Sequence, residues 1–147
     1  MPESQQTQQG VIPHLVVDNA NAALEFYKKA LGATETFRLP AEDGKRLMHS
    51  EMSVNGARVF VRDHFPEYCT AEAGKVRQEP PKSLGGTSFS MHLDVENCDA
   101  ALKRAVDAGA TVTMPPADMF WGDRYGAVVD PFGHAWSFAH RLPGQPA

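Results

Sequence analysis

A repeated segment is the feature of this sequence that most constrains its fold. Residues 14–24 read HLVVDNANAAL and residues 92–102 read HLDVENCDAAL, so seven of eleven positions are identical at a separation of 78 residues. Ungapped agreement of this kind rarely arises by chance, and it indicates an internal duplication. A period this long in a chain of 147 residues leaves space for two copies. Each copy is therefore half of a domain rather than one turn of a solenoid.

Each copy predicts a strand followed by a helix. Apolar runs at residues 11–17 and 89–95 have the length of an ordinary strand. Asn19 and Asn97 follow at the expected N-cap position, because a short side-chain oxygen accepts a free backbone N–H. Apolar residues then recur at helical spacing. Gly32 and Gly109 are predicted to end the helices, since glycine enters the left-handed conformation without strain.

Three strands are predicted after each helix. In the first half they cover residues 33–39, 46–54 and 57–63, with a hairpin turn at Asn55 and Gly56. In the second half the helix covers residues 99–108 and the strands cover 110–114, 126–129 and 135–140, with Pro115 and Pro116 ending the first of them. The pattern predicts an α+β fold of two tandem βαβββ units.

The predicted organisation is a single domain over residues 11–141. It comprises a first unit (11–65), a linker (66–86) and a second unit (87–141), flanked by a disordered tail at 1–10 and a short tail at 142–147. Proline and glycine pairs interrupt regular structure in the linker. Loops of this length are either functional or mobile, so two interpretations stay open: a solvated crossover between the units, or a lid over a binding site.

Composition excludes several classes of partner. The net charge is −4, and the sequence has no basic stripe of the kind that nucleic acids require. No apolar run is long enough to span a membrane, and residues 1–10 lack the features of a signal peptide. The two cysteines, Cys69 and Cys98, lack metal-type spacing and favour a reducing cytoplasm. We expect a small molecule as the partner.

Three segments are similar to a known family. They are ALEFYKKALG at residues 23–32, GAVVDPFG at 126–133, and PADMFWGDRYG at 116–126. With the duplication, they resemble the vicinal oxygen chelate superfamily of glyoxalase I, extradiol dioxygenases, and bleomycin and fosfomycin resistance proteins; the third segment resembles its PhnB-like branch. The resemblance implies that the two units form an open β-cup. It also implies a homodimer, since family members commonly pair or exchange units.

The resemblance also implies where a metal would bind. In the family's metalloenzymes each unit supplies two ligands, one from its first strand and one from its last. Transferred to this sequence, these positions fall on Ile12, Phe60, Ser90 and Ser137, or, two residues later, on His14, Arg62, His92 and Ala139. Neither set is a good set of metal ligands. We expect no cofactor; a divalent metal would need a rearranged site at His14, Glu51 and His92.

The candidate ligand-binding residues are histidine, arginine and aromatic side chains on the predicted strands and in the aromatic segment 117–125: His14, Phe60, Arg62, His92, Trp121, Tyr125 and Trp136. Aromatic walls would suit a flat ligand, and Arg62 could bind an anion. The two repeated histidines are either packed, hydrogen-bonded remnants of the duplication or ligand-contacting groups. His134 and His140 are predicted to lie at the surface.

Three functions remain open on these residues. The first is a metal-free small-molecule binder that resembles the bleomycin resistance proteins. The second is a metal-dependent lyase, isomerase or dioxygenase with a rearranged site. The third is a metal-free enzyme in which one histidine acts as an acid or base.

Overall fold

A computed structural model describes residues 9–68 and 77–145 of the chain. Most of the predicted N-terminal tail, residues 1–8, lies outside the described residues. So do residues 146–147 of the predicted C-terminal tail and residues 69–76 of the linker, which include Cys69. The division into one domain with two tails stays a prediction.

The first unit folds into a four-stranded mixed sheet with one helix. It contains β1 (His14–Val17), α1 (Ala20–Leu31), β2 (Thr34–Pro40), β3 (Leu47–Val54) and β4 (Ala57–Asp63). The strand order of this sheet, sheet 1, is β1-β4-β3-β2. β1 runs parallel to β4, and the other neighbours are antiparallel.

The second unit repeats this arrangement after a short helical linker. A 3-10 turn (Pro66–Tyr68) and α2 (Pro81–Leu84) precede β5 (Ser90–Asp94), α3 (Cys98–Ala108), β6 (Thr111–Asp118), β7 (Asp123–Val129) and β8 (Ala135–Arg141). Sheet 2 has the order β5-β8-β7-β6, again with its first strand parallel to its last. The predicted α+β fold of two βαβββ units is confirmed.

The ends of both long helices follow the sequence signals. The Asn19 and Asn97 side chains each accept the backbone N–H three residues on, at 3.0 Å. Gly32 and Gly109 follow the last helical residues at φ values of 68° and 130°, which glycine tolerates best. None of the helices in the described ranges is long and apolar enough to cross a membrane.

Strand β6 continues past the point where the sequence predicted its end. Pro115 and Pro116 lie inside it, although the prediction stopped the strand at Met114. β6 is the edge strand of sheet 2, where a missing backbone N–H costs no ladder hydrogen bond. The pairing with β7 shifts register between Met114 and Ala117, so the chain accommodates both prolines at this irregularity. The prediction was therefore wrong here.

The hydrophobic core lies between the two sheets, on the face of each sheet against which its long helix packs. α1 packs on sheet 1, α3 packs on sheet 2, and the two helices contact each other. Alternation along β4 buries Val59 and Val61 against this core, while Phe60 and Arg62 point to the other side. Each sheet therefore has a second face, opposite the one on which its long helix packs, which we call its open face.

A buried hydrogen bond joins the two units. The Tyr27 hydroxyl on α1 donates to Asp130 Oδ2 in the β7–β8 turn at 2.6 Å, and Trp136 Nε1 donates to the same oxygen at 2.9 Å. Tyr27 is fully buried. Burial, followed by the negative charge of Asp130, raises the pKa of the Tyr27 hydroxyl well above its ordinary value.

This contact predicts a pH-dependent difference between the protein and its Tyr27→Phe variant. Removing a hydrogen bond to a charged group should lower the free energy of unfolding by about 1.5–3 kcal/mol at pH 7. The raised pKa means that the tyrosine's contribution is complete below about pH 10 and is lost as the pH rises toward the folded-state pKa. Urea unfolding between pH 7 and pH 11 should show the two stabilities converging; a constant difference would contradict the assignment.

Candidate functional site

Four aromatic rings come together on the open face of sheet 1. β1 and β4 pair so that His14 lies beside Phe60, with ring centroids 5.7 Å apart. His49 on β3 contacts both rings, at 4.6 Å from Phe60 and 6.0 Å from His14. Phe37 on β2 lies 6.0 Å from His49 and is 48% exposed. We call His14, Phe37, His49 and Phe60 the ring cluster.

The charges beside the ring cluster are partly paired. Glu51 accepts hydrogen bonds from Arg58 at 2.9 Å and binds His49 Nε2 at 3.0 Å. The Arg58 hydrogen bond, and then that of His49, lowers the pKa of Glu51. Partial burial, followed by the positive charge of Arg62, lowers the pKa of His14. His14 is therefore mainly neutral at pH 7.

A cavity of about 610 Å³ adjoins the ring cluster. One wall is the β1–β4 edge of sheet 1, with His14, Val16 and Arg62, and another is formed by the linker from residue 78 and the first residues of the second unit, to residue 89. The linker packs tightly here, because a Cβ added at Gly133 would lie 2.8 Å from the Pro81 side chain. The described half of the linker is therefore a cavity wall, while its role as a lid stays a prediction.

The open face of sheet 2 presents a different arrangement. His92 Nδ1 lies 2.8 Å from Ser137 Oγ, and His92 Nε2 lies 3.3 Å from the exposed Asp94 carboxylate. The Tyr125 ring stacks on His92 with centroids 6.0 Å apart. Trp121 contacts Tyr125 at 5.9 Å. Three predicted ligand-binding residues, His92, Trp121 and Tyr125, are thus brought together.

The strand pairing brings together positions from both of the transferred ligand sets. His14 pairs with Phe60, and His92 pairs with Ser137. Which positions correspond to the family's ligands stays a prediction, and these four are the ones that the sheets place side by side. A phenyl ring cannot coordinate a metal, and a serine hydroxyl is a weak ligand, so this set does not fit the family's usual metal.

The rearranged metal site finds no support in the described residues either. Within residues 9–68 and 77–145, no three histidine, cysteine, aspartate or glutamate side chains form a group that could hold a metal ion. Glu51 is instead engaged by Arg58 and His49. His14 and His92 lie on different sheets.

The burial of His134 and Trp136 contradicts two predictions made from the sequence. His134 is not a surface residue: it is 5% exposed, and its Nε2 lies 2.9 Å from the carbonyl oxygen of Val16 in the other unit. Trp136 is 2% exposed and faces the core, because alternation along β8 places it opposite Ser137. The expectation that it lines the cup is therefore corrected. His140 is half-buried, and its Nδ1 accepts the Cys98 N–H at 2.8 Å.

Comparison with known proteins identifies the family. The model of the Glyoxalase/Bleomycin resistance protein/Dioxygenase superfamily matches residues 11–138. The chain belongs to this superfamily, as the three similar segments implied. Its assignment to the PhnB-like branch stays a prediction.

Individual relatives agree with this assignment. An uncharacterized protein of Mycobacterium bovis is 47% identical over 134 residues, covering 91% of this chain and 81% of the relative. The anthracycline biosynthesis protein DnrV of Streptomyces peucetius is 30% identical over 90% of this chain and 42% of its own length. The crystal structure of TioX from Micromonospora sp. ML1 has a TM-score of 0.69 at 25% identity, covering 91% of this chain and 99% of TioX.

The contacts of the two repeated histidines predict different mutational effects. Among the described residues nothing hydrogen-bonds the His14 ring, so His14→Phe should change stability by about 0.5 kcal/mol or less. His92→Phe removes the partner of the Ser137 hydroxyl, which is 3% exposed, and should cost about 1–3 kcal/mol. Thermal melts of the two variants measure the difference; equal losses would refute it.

Proposed function

We propose that the protein binds a small, planar aromatic molecule on the ring cluster of sheet 1. The observation that supports this most is the contact of four rings on the open face of sheet 1 beside a cavity. Ligand sites are concave and mainly apolar, with a few polar groups that fix orientation. The ring cluster and its adjoining cavity have this composition.

The chemistry of the cluster favours a flat ligand. Aromatic rings gain about 0.5–1.5 kcal/mol from stacked or edge-to-face contact beyond the area they bury. His14 is mainly neutral because its pKa is lowered, so it offers a ring face without a full charge. DnrV is named for anthracycline biosynthesis, and anthracyclines contain a planar aromatic ring system. Such a molecule is a suitable first probe.

We also propose that this binding needs no metal. The four positions that the strand pairing places side by side, His14 with Phe60 and His92 with Ser137, hold two imidazoles, a phenyl ring and a hydroxyl, which favours metal-free binding. The alternative, a metal-dependent lyase, isomerase or dioxygenase, would need His14, Glu51 and His92 in one site, and no observation favours it.

The position of His92 between Ser137 and Asp94 favours a second candidate function, proton transfer on the open face of sheet 2.

Titration with a fluorescent anthracycline tests the proposal. The protein should bind the probe with the same dissociation constant before and after dialysis against a chelator. Phe60→Leu should weaken binding roughly three- to tenfold, because it removes the central ring of the cluster while keeping an apolar side chain.

Tyr68→Leu is the matched control, since Tyr68 is an aromatic residue that is 71% exposed and lies outside the ring cluster. Its affinity for the probe should equal that of the unmodified protein. Equal loss in both variants, or loss of binding after chelation, would refute metal-free binding on the ring cluster.

We further propose that the protein is a cytoplasmic homodimer. Large apolar side chains are exposed on strands and the hairpin of both sheets: Phe37, Leu39, Met48, Val112, Met114, Phe120 and Trp121. A sheet edge with exposed apolar residues is normally covered. A second copy of the chain offers the same surface. A reducing compartment suits Cys98, which is buried and unpaired.

Sedimentation at micromolar concentration measures the assembly. We expect a species of about twice the 16.1 kDa of one chain. Phe120→Ser should shift the population toward the monomer, because Phe120 is 97% exposed in a single chain and contributes nothing to its core. Detection of the monomer alone in the unmodified protein would rule the dimer out.

A further inference from the structure

We infer that the ligand of the ring cluster is an aromatic acid, whose anionic group binds Arg62 in the adjoining cavity. This inference rests on the proposed binding at the ring cluster and specifies the chemical class of the ligand. It depends on three observations: the position of Arg62 relative to the rings, the state of its charge, and the polar groups of the cavity wall.

The strand register places Arg62 within reach of a ligand on the rings. His14 pairs with Phe60, and the next positions on the same face pair Val16 with Arg62. Residues two apart on a strand share a face and are separated by about 6.6 Å. The same cavity is lined by His14 and Arg62. A ring lying against His14 and Phe60 can therefore direct an acidic substituent along the strands toward the guanidinium group.

The charge of Arg62 is not matched by a carboxylate. Within the described part of the chain, its guanidinium makes one hydrogen bond, from Nη1 to the backbone carbonyl of Asp63 at 3.1 Å, and no ion pair. Glu79 also lines the cavity, but it is bound by Arg77 at 2.7 Å. A half-buried cation is costly without a counter-charge. A ligand carboxylate would provide that charge and accept two parallel hydrogen bonds.

Arg58 provides an internal comparison. It lies two residues before Phe60 on β4, as Arg62 lies two residues after it, so both side chains leave the same face of the strand. The Arg58 guanidinium lies 5.3 Å from the centroid of the Phe60 ring, but it is already paired with Glu51 at 2.9 Å. The strand thus holds one neutralised and one available cation at the same number of residues from Phe60.

The cavity wall also contains a buried histidine. His134 is 5% exposed and lines the cavity. Its Nε2 donates to the Val16 carbonyl oxygen at 2.9 Å, because a carbonyl oxygen can only accept. Its Nδ1 is also buried, and no described group hydrogen-bonds to it. We therefore assign the acid to Arg62 alone.

Paired probes test the inference: 2-naphthoate and 2-naphthamide, which have the same ring system and differ in charge. Dissociation constants are measured by fluorescence for the unmodified protein, Arg62→Gln and Arg58→Gln. The unmodified protein should bind naphthoate roughly tenfold or more tightly than naphthamide. Arg62→Gln should abolish this preference without changing the affinity for naphthamide. Arg58→Gln should retain a clear preference for naphthoate. Thermal melts confirm that both variants fold.

The outcomes separate this inference from the proposal on which it rests. If both probes bind the unmodified protein equally and Phe60→Leu weakens both, the ring cluster is a binding site and the acid assignment is wrong. If Arg58→Gln removes the preference for naphthoate as completely as Arg62→Gln does, the acid is attracted by the overall positive charge of the region. The assignment of its binding site to Arg62 is then wrong. If neither probe binds, both the inference and the proposal fail.

Discussion

One buried carboxylate bonds the two units to each other, in addition to the packing of α1 against α3. Asp130 is 4% exposed, and four donors satisfy it. Its Oδ1 accepts the backbone N–H groups of Phe132 and His134, and its Oδ2 accepts the Tyr27 hydroxyl and the Trp136 indole. A buried charge is tolerated only when it is hydrogen-bonded in this way. Since Tyr27 belongs to the first unit and the other donors to the second, the carboxylate fixes α1 against sheet 2.

Equivalent positions in the two units can have the same structural role although their residues differ. Asp63 Oδ1 accepts the N–H of Ala20, the first residue of α1, at 2.9 Å. At the equivalent place in the second unit, His140 Nδ1 accepts the N–H of Cys98, the first residue of α3, at 2.8 Å. Both side chains satisfy a helix N-terminus from the last strand of the same unit. A carboxylate oxygen and an imidazole nitrogen can each accept this N–H, although the second oxygen of Asp63 also accepts the N–H of Leu47 at 2.7 Å.

The sequence predicted what depends on neighbouring residues and missed what depends on distant ones. Asparagine caps, glycine ends and strand alternation are local signals, so the helices and most strands were predicted to within a few residues. The burial of His134 comes from its contact with Val16, 118 positions away, which no local pattern encodes. The pairing of His14 with Phe60 also depends on distant residues: it joins segments whose relative offset is set only when the sheet forms, so the sequence left two sets of ligand positions open.

The equivalent histidines on the two open faces, His14 and His92, have different contacts because their strand neighbours differ. His92 has Ser137 as its strand neighbour and hydrogen-bonds to the Ser137 hydroxyl. One of its two ring nitrogens is therefore already bonded within the protein. His14 has Phe60 as its neighbour, and its ring contacts the rings of Phe60 and His49. A phenyl ring in place of a hydroxyl removes a hydrogen-bond partner and adds a flat apolar surface. In the second unit, the first and last strands therefore hold a histidine that is oriented by a hydrogen bond within the protein. In the first unit, the same two strands present a surface suited to the ring of a ligand. This difference is why the ligand is assigned to sheet 1.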